Sequence, residues 1–275
     1  MNSMVTNPRA AFEFILQVER FYAGLILAAK PGPDAEPSLG GKLLYAGQLN
    51  ADIRTLLVAG NIAGAASLAV STDAAGRQAI RDGVVDFLVT SLDEALRILK
   101  NEIRKHSTVA VCVALESNVD FALQLLERGV LPDLLPPRSA PTPEFAAFLS
   151  HGARPVVAIH PDANQVLLAW SVASAPAQWL PKLDALALDC LSADPSPAVV
   201  TPGRRWLRLA PRYVGRMAEN LRLMRCDDRA ANHFIERVRE KVERAEIGVP
   251  VYLTLIRNGQ PEMFSFAPPA PKVAD

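Results

Sequence analysis

The chain has 275 residues, half of them hydrophobic and 21% charged, with 29 basic side chains balanced by 29 acidic ones. That length supplies core for one large domain or two unequal ones, and the even charge argues against a general nucleic-acid or anionic-membrane binder, which carries a basic excess. Three scattered cysteines, Cys112, Cys190 and Cys226, make neither a disulfide framework nor a CxxC metal pair, and their odd number fits a reducing compartment.

Apolar residues at Phe12, Ile15, Leu16, Val18, Tyr22 and Leu25 recur at helical spacing, so Pro8 to Ala29 is predicted as a helix with one face on the protein body. Its most apolar stretch, Phe21 to Ala29, follows Glu13, Glu19 and Arg20; it is too short for a bilayer span and unlike a signal peptide. A cytoplasmic protein is expected. The helix ends at Lys30-Pro31-Gly32-Pro33, a breaker cluster.

Lys42 to Ala46 reads as a buried strand, Ala51 to Ala59 as a helix, Ala66 to Val70 as a second strand, Ala74 to Arg81 as a short helix, and Val84 to Val89 as extended. Ser91 with Glu94 is a capping-box pair that starts a helix whose apolar face is Leu92, Ala95, Leu96, Leu99 and Ile103. Val109 to Ala114 is continuously apolar, as a parallel strand covered on both faces requires. Val119 to Arg128 is a predicted helix stopped by Gly129, and Leu134-Leu135 begins another strand. This alternation predicts a doubly wound, Rossmann-like α/β sheet.

Five prolines between Leu131 and Pro143 predict a rigid loop at the sheet edge or a connector between domains. Beyond it, Val156 to Ile159 and Val166 to Val172 flank Pro161 to Asn164 as an expected hairpin. Pro176 to Leu191 reads as a helix, Arg205 to Leu209 as a strand, and Asp227 to Ile247 as an amphipathic helix ended by Gly248 and Pro250. Asn258-Gly259 between Val251 to Ile256 and Met263 to Phe266 signals a two-residue hairpin turn. The expected organisation is an N-terminal helix and linker (1–38), a Rossmann-like domain (39–150), an α+β part with antiparallel strands (151–267) and a tail (268–275).

Several stretches, in order and spacing, resemble the NAD-binding domain of urocanase (urocanate hydratase). They are Leu39 to Gly47, Ile62-Ala63-Gly64-Ala65, Asp82-Gly83-Val84-Val85-Asp86 and Leu126 to Asp133, the last being the most specific. The resemblance covers Gly40 to Leu135 and implies a nucleotide-binding sheet with Gly47, Asn50, Arg54, Gly64, Asp73 and Ser117 at cofactor-contact positions. Yet where the family has a run of glycines that lets backbone amides approach a pyrophosphate, this chain has Gln48-Leu49-Asn50-Ala51-Asp52-Ile53-Arg54. Leu49 adds bulk there, Asp52 competes with phosphate for the helix dipole, and Arg54 offsets only part of that repulsion. Asp73 is placed either to reach ribose hydroxyls or to cap the Ala74 helix. Glu116-Ser117 stands where the family has Gly-Asn, and Pro136 to Pro143, with Arg138, replaces its polar segment.

His106, His151, His160 and His233 lack metal-ligand spacing, and no metal site is expected. Cys112, inside an apolar strand, is poorly placed as a nucleophile. Arg204, Arg205, Arg208, Arg212 and Arg216, interleaved with Trp206 and Tyr213, read either as an anion site or as a solvated face.

Three functions follow. The first is a urocanase-like scaffold without urocanase activity or tight NAD binding, a small-molecule, nucleotide or protein-interaction module. The second is an NAD-dependent hydratase or lyase with a remodelled pocket, in which Arg138 or Arg205 clamps a substrate carboxylate. The third is a structural homo-oligomer whose interface is the C-terminal antiparallel sheet or the Asp227 helix. No nucleic-acid or membrane partner is expected.

Overall fold

The computed structural model describes residues 8–29, 38–115, 120–137, 142–192, 197–215 and 220–269. In chain order the elements are α1 (Pro8–Ala29), β1 (Leu43–Gln48), α2 (Ala51–Ala63), β2 (Ala66–Ser71), α3 (Asp73–Arg81), β3 (Phe87–Val89), α4 (Leu92–Arg104), β4 (Val109–Ala114), α5 (Phe121–Glu127), β5 (Leu134–Leu135), α6 (Pro143–Ser150) and β6 (Arg154–Pro155). Then come β7 (Gln165–Val172), α7 (Pro176–Ser192), α8 (Pro197–Val214), β8 (Leu221–Asp227), α9 (Asp228–Glu243), β9 (Val251–Arg257) and β10 (Gln260–Phe266). The chain forms two compact units, Gln17–Ile159 and Met1–Leu16 with His160–Asp275. It is an α/β protein.

The Gln17–Ile159 unit holds a six-stranded parallel sheet in the order β3-β4-β2-β1-β5-β6. Its central strands are buried along nearly their whole length, which is why their sequences lack polar alternation. One face carries Leu43, Tyr45, Leu68, Val70, Val111 and Val113 against Leu92, Leu96 and Leu99 of α4, Phe121 of α5, and Phe145 and Phe148 of α6. Tyr45 lies 6.0 Å from the Phe145 ring and 6.1 Å from that of Phe148, and such aromatic pairs contribute about 0.5–1.5 kcal/mol each beyond area burial. On the other face α2 and α3 approach so closely that a Cβ on Gly60 would stand 3.0 Å from Ser67 Oγ and one on Gly76 would stand 2.4 Å from Leu88 Cδ1. The helices that follow β1 and β2 thus cover one face of the sheet and those that follow β3, β4 and β5 the other, as in a doubly wound sheet.

The other unit has an antiparallel sheet in the order β10-β9-β7-β8. Trp170 on β7, fully buried, packs 5.1 Å from Phe234 of α9. The β9–β10 turn is Asn258-Gly259, with φ of 52° and 76°, the left-handed pair that a two-residue hairpin needs.

Three expectations are corrected. Val156 to Ile159 forms no strand and no hairpin with Val166 to Val172; β6 pairs in parallel with β5, and β7 lies between β8 and β9. Arg205 to Leu209 is part of helix α8, because Trp206, Leu207, Ala210 and Val214 bury one helical face. The cap of α3 is Thr72, whose hydroxyl accepts the Ala75 N–H, and Asp73 is the first helical residue. The strand β8 went unpredicted.

Candidate functional site

In the parallel sheet the chain leaves β1 towards α2 on one face and leaves β5 towards α6 on the other. The two strands are neighbours, paired at Leu44 and Leu134. Such a divergence, beyond the carboxyl ends of the strands, is the usual ligand position in open α/β sheets. There Gln48 ends β1 and is followed by Leu49 and Asn50, and Pro136 and Pro137 follow β5.

The turn after β1 is built from local chemistry. Gly47 has φ of 79°, and the β1–β2 register shifts between Tyr45 and Gly47, so this glycine serves a bulge in the strand. The Leu49 amide donates to the Val70 carbonyl at 2.8 Å. Asn50 is extended, at φ −138°, and caps α2 by accepting the Ile53 N–H at 2.9 Å. Asp52 is exposed in the first turn of that helix. Arg54 turns aside to pair with Asp82, just after α3, and Gln78 holds the other Asp82 oxygen at 2.8 Å. A helix terminus whose third amide is held by its own cap, with a carboxylate beside it, does not fit a pyrophosphate.

The remaining expected site residues are dispersed. Gly64 is the left-handed C-cap of α2, φ 93°, with the amides of Gly64 and Ala65 both donating to the Gly60 carbonyl. It lies at the far end of a helix of 13 residues, about 20 Å long. Asp73 shares the carboxyl-terminal edge with Asn50 but pairs with Arg77 at 2.7 Å. Ser117 and Arg138 lie outside the described residues. Arg205 is buried on α8 in the other unit, whereas Arg204, Arg208 and Arg212 are exposed on that helix. The helix therefore separates the arginine run into two environments.

The residues that carry the urocanase resemblance lie mostly at the opposite, amino-terminal edge of the sheet, where each holds the frame. A Cβ on Gly40 would meet the His106 carbonyl oxygen at 2.9 Å, and one on Gly41 would meet the His106 ring at the same distance. Asp86 accepts the Ala110 N–H at 2.8 Å and returns its own amide to the Ala110 carbonyl at 2.8 Å. Gly129, φ 64°, ends α5. Asp133 accepts the Leu43 N–H and the Lys42 ammonium, both at 2.9 Å. Asp82, Asp86 and Asp133 lie within the stretches that carry the resemblance, and an acid just before a strand is the local signal for the last two; the pairing of Asp82 with Arg54 has no local signal.

Cys112, Cys190 and Cys226 are all buried. Burial raises the thiol pKa of Cys112, and a 3.1 Å contact with Ser71 Oγ opposes it only partly. In the second unit, Asp184 takes the Trp170 indole N–H at 3.2 Å and Arg222 Nε at 3.1 Å. Burial outweighs Arg222 and Trp170 and leaves the Asp184 carboxyl above its ordinary range. Among the described residues, no group of three or more His, Cys, Asp or Glu is placed to hold a metal ion. Likewise no described helix is long and apolar enough to cross a membrane.

The class that the fold defines is an α/β protein with a Rossmann-like parallel sheet. Comparison with models of known protein families finds none that matches the chain, and comparison with curated proteins finds no match.

Proposed function

We propose that this protein is a binding module of urocanase-like descent, holding a small molecule without a diphosphate at the β1–β5 divergence and carrying out no urocanate hydration. The observation behind this reading is the Asn50 cap on the Ile53 amide, which takes one of the helix-terminal donors that a dinucleotide phosphate would use. Asp52 in the same turn and the diversion of Arg54 to Asp82 support it. The test is thermal unfolding with NAD and with a panel of small carboxylates and uncharged metabolites. NAD at a hundred times its dissociation constant would stabilise by about 2.7 kcal/mol, so a large upshift with NAD overturns the reading. A panel compound that raises the melting temperature and slows hydrogen exchange at residues 48–54 supports it. Urocanate absorbance is expected to persist when NAD is present; its decay would favour the hydratase alternative.

A second reading, a homo-oligomer, draws on the outer hairpin. Met263 is 83% exposed and Tyr252 47% exposed, and the β9–β10 register puts both on one face of the sheet. A strictly monomeric mass by light scattering at micromolar concentration would remove it.

A further inference from the structure

We propose that the free edge of β3 and the adjoining side of α4 form a docking groove for an acidic peptide segment in extended conformation. This site lies away from the β1–β5 divergence and is independent of the reading above. Among the described residues β3 is the last strand of its sheet and pairs only with β4. The Asp86 amide donates to Ala110 on the β4 side, so by strand alternation the amides and carbonyls of Phe87 and Val89 point to the open side. An edge of that kind is a template for an added strand.

Beside the edge runs an open groove of about 870 Å3 lined by Phe87, Ile98 and Val109 and by Arg97, Asn101 and Arg104 of α4. Phe87 is 47% exposed, and it falls on the face that Val89 and Val111 share with α4. Arg97, Asn101 and Arg104 are spaced to follow one side of the helix. Of the groove's two carboxylates, Glu102 alone has a cationic partner among the described residues. Asp86 accepts the Ala110 amide at 2.8 Å, and Glu102 holds Lys105 at 3.0 Å and Asn101 at 2.7 Å. Arg97 has no carboxylate partner among the described residues, and Arg104 reaches only the Lys100 carbonyl, at 3.3 Å. With Glu102 matched by Lys105, the two arginines outweigh the one remaining negative charge, on Asp86, so the wall is net positive on a chain whose net charge is zero. Backbone groups along the edge favour a peptide over a nucleic acid, which would use the arginines but leave those groups unmatched.

Selection of phage-displayed random heptapeptides on the full-length protein tests this. The expected winners alternate apolar residues with Asp or Glu, and a fluorescein-labelled synthetic copy of one binds in solution. Arg97→Glu with Arg104→Glu, both exposed and expected to keep the native circular dichroism, weakens that peptide about tenfold or more, or about 1.4 kcal/mol. Methylating alternate peptide amides abolishes binding. The proposal is overturned if no sequence is enriched, if the winners are neutral or basic, or if the arginine pair can be reversed without loss. Preferential retention of single-stranded RNA or anionic vesicles also overturns it.

Discussion

Asp133 and Leu43 exchange hydrogen bonds in both directions: the Leu43 amide donates to the Asp133 carboxylate at 2.9 Å, and the Asp133 amide donates to the Leu43 carbonyl at 2.9 Å. The Arg154 amide then donates to the Asp133 carbonyl at 2.8 Å, so one residue aligns β1, β5 and β6. Because β5 and β6 are two residues each, their own ladders are too short to fix register alone.

Asp133→Ala should therefore destabilise the protein by about 1.5–3 kcal/mol, the range for hydrogen bonds to a charged group. Asp133→Asn keeps an acceptor for Leu43 and should cost less. Lys42→Ala removes only a partly exposed ion pair, with side chains 52% and 36% accessible, and should cost less than about 1 kcal/mol. Urea denaturation of the three variants measures the order; equal losses for Lys42→Ala and Asp133→Ala would contradict it.

Much of the parallel sheet was legible because its signals are local. The β4 run Val109 to Ala114 and the Ser91 cap of α4, which accepts the Glu94 amide at 3.3 Å, need no distant partner. Helix α8 was obscured by Pro202, Gly203 and Pro211 inside it, residues that ordinarily break helices. β8 was obscured because its Arg222 is matched by Asp184, 38 positions away. The same division applies to the β1–β5 divergence. The Asn50 cap is a local feature, whereas the capture of Arg54 by Asp82 depends on α2 and α3 packing together.

Gly60 and Ser67 make a coupled pair. Ser67 Oγ is fully buried without a hydrogen-bond partner, and a Cβ on Gly60 would lie 3.0 Å from it. Ser67→Ala should stabilise by about 1 kcal/mol, since it removes an unmet polar group. Gly60→Ala alone should change little, the helix-propensity gain of about 1 kcal/mol being offset by the crowding. With Ser67→Ala present the hydroxyl part of the crowding is gone, leaving Leu44 Cδ2 at 3.2 Å from the added Cβ, so the double variant should exceed the sum of the singles by about 0.5 kcal/mol. Additive effects would show that the crowding relaxes by other means.

The three cysteines should be silent in the native state. All are buried, and burial raises the thiol pKa of Cys112 and Cys190, which disfavours the reactive thiolate. Native protein should resist a thiol reagent such as Ellman's, while denatured protein should titrate three thiols. Rapid labelling of a native cysteine would mean that its element opens locally.

Asp184 predicts a pH dependence with a definite sign. Its folded pKa is raised, burial outweighing Arg222 and the Trp170 indole. Between the unfolded and folded values the native state binds this proton more tightly than the unfolded chain does. The stability contributed by that proton is fully present below the unfolded value and is lost as pH rises through the folded value. Asp184→Asn carries no such proton and keeps an acceptor for Trp170, but takes the Asp184 charge away from Arg222, a constant offset at high pH. The stability of the wild type minus that of Asp184→Asn should therefore fall as pH rises through the interval and then become flat. Urea unfolding followed by tryptophan fluorescence from about pH 3 to about pH 7 gives this difference directly. A difference that rises with pH would mean that Arg222, rather than burial, sets the charge of Asp184.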